Sequence, residues 1–110
     1  EVARMRARID GALPAGAPVA VVSTMPNNRP GPRRQHTEVD WVHYYLGRRA
    51  EMHVLARTAA ADLAGRPLVL VARYVRSPDV FARLGLEPRI RGEEMTLAVP
   101  VPGDGVARAP

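Results

Sequence analysis

Apolar residues open the chain at helical spacing, with Val2, Met5, Ile9, Ala12 and Leu13 on one side and Arg4, Arg8 and Asp10 turned outward. That pattern predicts an amphipathic helix over residues 2–13, ended by Pro14 and Gly16. The period then changes. Pro18-Val-Ala-Val-Val-Ser23 is a short apolar run rich in β-branched residues, the signature of a strand buried on both faces. Met25–His36 is crowded with turn formers and continues neither element. Thr37-Glu-Val-Asp40 resembles a capping box, so a second helix should start at Glu38. Val39, Val42, Tyr45 and Leu46 supply its buried stripe, and Gly47 stops it.

Glu51–Ala56 reads as a second strand, and Thr58–Ala64 as a short helical turn closed by Gly65. Leu68-Val-Leu-Val-Ala72 is the most hydrophobic run and the candidate central strand. Ser77-Pro78 opens a helix with a serine cap and a proline at the first helical position, and Gly85 closes it. Glu87–Arg91 and Met95–Val101 read as two strands of a hairpin around Gly92 and Glu93. Strands that alternate with helices imply an α/β domain with a mainly parallel sheet. The expected architecture is a small Rossmann-like or flavodoxin-like three-layer sandwich with a C-terminal antiparallel hairpin at one edge. An α+β arrangement with a less regular strand order is the competitor.

The 110 residues make one domain, expected over 1–101, with 102–110 as a flexible tail. A composition of 46% hydrophobic and 25% charged residues argues against wholesale disorder. No apolar run approaches the roughly 18 residues of a membrane helix. The absence of cysteine excludes disulfides, thiol catalysis and cysteine–zinc sites. All 16 basic residues are arginine, which removes Schiff-base chemistry and the lysine of a phosphate-binding P-loop. The net charge of +5 permits an anionic partner without requiring one. That charge is scattered over several elements with no docking motif, so no nucleic-acid partner is expected. The chain begins at Glu1 rather than methionine and reads as a piece of a longer protein.

Ligands of open parallel sheets bind beyond the carboxyl ends of the strands, where the long loop after the first strand belongs. Ser23, Thr24, Asn28, Arg29, Arg33, Arg34 and His36 are therefore candidate anion ligands, suited to a phosphate or a sugar carboxylate. Glu38 and Asp40 in the following first turn would oppose an anion, and the bland reading is a solvated loop. His36, Asp40 and His43 fall on one helical side but lack a fourth ligand, so no metal is expected. Nor is a cofactor. Trp41 and Tyr44 share a flanking face and form a candidate partner surface, while Tyr45 should turn inward with Val42. No nucleophile elbow and no acid–base pair of carboxylates is visible, so the chain by itself reads as non-catalytic.

Leu13–Ser23, Leu63–Arg73, Phe81–Gly92 and Glu94–Pro100, in that order, carry a resemblance. Together they resemble the soluble C-terminal domain that follows the membrane helices in bacterial GT-C-type glycosyltransferases of the dolichyl-phosphate-mannose-protein mannosyltransferase-like group. The resemblance spans most of residues 2–100 and rests on element order; Met25–His36 lies outside it. It implies an extracytoplasmic, periplasmic domain whose partner is the transmembrane part of the same polypeptide. Anionic lipid or sugar phosphate would be its further partners. In such enzymes the catalytic acid lies in the membrane part, so no catalytic residue is carried over. The alternative is a free-standing binder of a small ligand, a nucleotide or a sugar phosphate.

Overall fold

In the computed structural model, residues 1–24, 37–75 and 77–102 are described. Two strands form its centre. β1 (Val19–Ser23) and β3 (Val69–Ala72) are buried at every position, as their unbroken β-branched and aliphatic runs require. β1 pairs in parallel with β2 (Ala50–Val54) on one side and with β3 on the other. β5 (Met95–Pro100) then pairs antiparallel with β3, and β4 (Leu86–Arg91) antiparallel with β5. The sheet order is β2-β1-β3-β5-β4.

This corrects the mainly parallel, Rossmann-like or flavodoxin-like three-layer sandwich expected from the sequence. The sheet is mixed, and its antiparallel ladders carry more residue pairs than its parallel ones. The reason lies in the closing hairpin, which adds beside β3 at one end of the sheet and brings both antiparallel ladders with it. β5 is buried over Met95–Ala98 and slots between β3 and β4, where both its neighbours are antiparallel to it. β4 alternates buried Leu86 and Ile90 with exposed Glu87, Arg89 and Arg91, and Pro88 removes one ladder donor. Such a strand belongs at an edge. A register shift between Pro88 and Ile90 bends it further.

Among the described residues, helices are few and short. α1 (Val2–Ala12) buries Met5 and Ile9 and packs beside the turn that follows α2. α2 (Thr37–Trp41) passes directly into a π-helical turn over Val42–Leu46, which ends at left-handed Gly47. That wider turn displaces the expected stripe: Val42 and Leu46 are buried, but Tyr45 is 42% exposed instead of pointing inward. The Thr37 cap lies outside the described side chains. α3 (Ala60–Leu63) starts with the Ala59 N–H on Asp62 Oδ2 at 2.8 Å and packs against α4 (Pro78–Leu84). Ser77 Oγ caps α4 by accepting the Val80 N–H at 3.3 Å.

Among the described residues, no helix is long and apolar enough to cross a membrane. The tail over 103–110 lies outside the described residues.

The outer strand β2 carries an ionic cluster. Both Glu51 carboxylate oxygens accept from Arg66, at 3.0 and 2.6 Å, and His53 Nε2 lies 2.8 Å from Oε2. Partial burial raises the Glu51 pKa, but the hydrogen bonds and charges of Arg66 and His53 outweigh it and leave the carboxyl below its ordinary value. A carboxyl depressed in the fold stabilises it above the unfolded pKa, about 4.3, and loses that contribution as pH falls through the lower folded value. Glu51→Gln should therefore melt below the parent at neutral pH. The difference should close in thermal scans taken progressively below about pH 4; a gap that persists unchanged there would count against the ion pairs as its source.

Candidate functional site

The chain leaving β1 turns toward β2, whereas the chain leaving β3 turns toward the opposite half of the sheet. A crevice opens where they part, the preferred ligand position in open α/β sheets. Because Ala72 is paired with Met95, the β4–β5 turn rises at this same end. The resulting cleft has a volume of about 570 Å³.

Its floor is polar. Ser23, the last residue of β1, is fully buried, and its hydroxyl donates to Glu38 Oε2 at 3.2 Å. Tyr74, in the turn after β3, donates its hydroxyl to the same oxygen, and the two hydroxyls stand 3.2 Å apart. Glu38 itself is only 4% exposed. A carboxylate so deeply placed depends on donors to offset the loss of water, and these two supply that for one oxygen.

The walls differ in chemistry. Trp41 and Tyr45 form one wall, with ring centroids 5.3 Å apart and planes tilted by 47°. Arg73, Glu93, Glu94 and Met95 form the other. Arg73 lies 3.7 Å from the Glu94 carboxylate, and its backbone N–H donates to the Glu94 carbonyl at 3.0 Å. Past Trp41 and Tyr45 the cleft continues into a smaller hollow of about 310 Å³ that reaches Val2 and Met5 of α1. Among the described residues, the main cleft is lined by three carboxylates and one guanidinium. The described lining thus carries a net charge opposite in sign to that of the whole chain.

The residues proposed from sequence divide. Ser23 lies under the cleft, and Thr24 follows it, exposed. Asn28, Arg29, Arg33, Arg34 and His36 lie outside the described residues. Trp41 is half-buried against the core and lines the cleft. Tyr44 is 77% exposed and meets Tyr45 edge-on, with centroids 4.8 Å apart, outside the cleft lining. Asp40 and His43 are both exposed.

Sequence reasoning missed Glu38, Tyr45, Tyr74, Arg73, Glu93 and Glu94. A signal existed for Glu38. It stands four residues before Val42 and eight before Leu46, so it occupies the buried stripe and not the solvent face. Tyr74 and the two hairpin glutamates carried no local sign, because they meet α2 only through the sheet.

Compared with protein-family models, curated proteins and solved structures, the chain finds no match.

Proposed function

We propose that this chain is a non-catalytic accessory domain of a membrane glycosyltransferase that uses polyprenyl-phosphate-linked sugars. It stands on the extracytoplasmic, periplasmic face, docks on the transmembrane part of the same polypeptide, and positions the acceptor in its cleft. One observation carries the reading: the cleft brings the rings of Trp41 and Tyr45 together with the hydrogen-bonding side chains of Arg73, Glu93 and Glu94 in one lining. A sugar ring offers an apolar C–H face to aromatic rings and a rim of hydroxyls to carboxylates and guanidinium, so both walls find a complement. The alternative, a free-standing binder of nucleotide or sugar phosphate, has Ser23 and Thr24 at the carboxyl end of β1 in its favour. The excess of carboxylates in the described lining weighs against it.

The experiment is fractionation of the native gene product with an antibody raised against this domain. A band several times heavier than 12.0 kDa, released from membranes only by detergent, is the expected result. A small band in the aqueous fraction would remove the glycosyltransferase reading.

A further inference from the structure

We infer that Glu38 is the residue through which the cleft reads its ligand, and that the ligand is an uncharged polyhydroxyl ring, not a phosphate ester. This rests on the reading of the cleft as an acceptor site and gives that site a chemical class.

Glu38 is 4% exposed, yet it lines the cleft. Its Oε2 takes the hydroxyl protons of Ser23 and Tyr74. Among the described residues, no donor and no cation is placed on Oε1. A buried carboxylate with one oxygen served and one open is an acceptor waiting for a donor, since a buried polar atom left unpaired is costly. Ser23 and Tyr74 direct their protons at Oε2, which holds the carboxylate in a fixed orientation. A ligand hydroxyl supplies the missing donor, and the face of its ring lies against Trp41 and Tyr45.

The charges of the described lining oppose a phosphate ester. Its ionised phosphate oxygens only accept, and even where a ring hydroxyl serves Oε1 the phosphate would stand among Glu38, Glu93 and Glu94. The one guanidinium of the described lining, on Arg73, faces Glu94 at 3.7 Å. A phosphate would have to compete for it from the solvent-exposed rim, where a single ion pair contributes little.

Trp41 is the chain's only tryptophan and stands in the cleft wall, so its fluorescence reports occupancy directly. The probes are a panel of uncharged methyl hexosides and methyl pentosides, with glucose 1-phosphate as the charged counterpart. At least one uncharged glycoside should shift the emission saturably, with glucose 1-phosphate weaker by about tenfold or more. Glu38→Gln should weaken the glycoside by about tenfold, with circular dichroism and a thermal melt verifying the fold. A second variant does not depend on the buried position. Glu94→Gln removes a rim carboxylate and releases Arg73, so glucose 1-phosphate should gain severalfold relative to the glycoside, whose own binding weakens or holds as its hydroxyl rim loses one acceptor.

Equal or tighter binding of glucose 1-phosphate by the parent chain would overturn the inference and leave the cleft standing as a ligand site. So would a folded Glu38→Gln chain that binds as the parent does, or a Glu94→Gln chain in which the phosphate gains nothing relative to the glycoside. Silence of Trp41 toward every probe would instead overturn the acceptor-site reading itself.

Discussion

Arg48→Ala should lower the stability of the fold by about 2–4 kcal/mol, the largest loss expected from any single change discussed for this protein. The Arg48 side chain is 5% exposed, and each terminal nitrogen has a task. Nη1 donates to the carbonyls of Pro14 and Ala17 at 2.9 and 2.8 Å. Nη2 donates to Asp10 Oδ1 at 3.1 Å and reaches the Leu13 carbonyl at 3.5 Å. One guanidinium thus ties the end of α1, the 13–17 turn and the entry to β2 together. Its contribution comes from the carbonyls, which would lose charged donors, more than from Asp10, whose side chain is half exposed. At this chain length the loss corresponds to a fall in Tm of about 8–20 °C. Arg48→Lys should recover only part of it, because an ammonium lacks the planar fork that reaches several acceptors at once. A parent-like melt for the alanine variant would show that the 13–17 turn holds itself.

The second large effect is expected at Gly92, where the reason is space and not backbone conformation. A Cβ built there would lie 2.8 Å from Met5 Cε and 2.9 Å from the Met95 carbonyl oxygen. The methionine end can swing aside. The carbonyl cannot, because it already accepts the Gly92 N–H at 2.8 Å and belongs to β5. Gly92→Ala must therefore push the β4–β5 turn away from α1, a change that typically costs about 1–3 kcal/mol when it overpacks a close contact. The same turn carries Glu93 and Glu94 into the cleft, so glycoside binding should weaken along with the melt. A variant with both the parent's Tm and its binding would mean that the turn has room the contacts deny.

How far the site could be read in advance depended on the distance over which its parts interact. The place of Ser23 at the carboxyl end of β1 was legible because the apolar run before it is local, but the sequence offered it as an anion ligand, whereas its hydroxyl is buried on Glu38. Trp41 was legible as an amphipathic edge. Tyr45 was misplaced, since a π-helical turn leaves no mark in the spacing of the letters and sets Tyr45 outward while Val42 and Leu46 stay buried. The acidic side of the cleft was not legible at all. Glu93 and Glu94 sit in a hairpin turn that reads as ordinary solvated polarity, and only the pairing of β5 with β3 carries them to the end of β1.

The contrast extends to the fold. Element type and approximate position follow from forces acting within a few residues: the helical stripe of Val2, Met5 and Ile9, the β-branched runs of β1 and β3, the Ser77-Pro78 start and the Gly85 stop. Those the sequence determined by itself. The strand order was a different matter, because alternation of helix and strand is satisfied by several arrangements of similar local energy. What decided it was burial. β5, apolar over Met95–Ala98, had to be covered on both sides, while β4, with its charges and Pro88, could be left at the rim. That choice belongs to the whole sheet, and with it the tertiary structure also decided which charges meet Glu38.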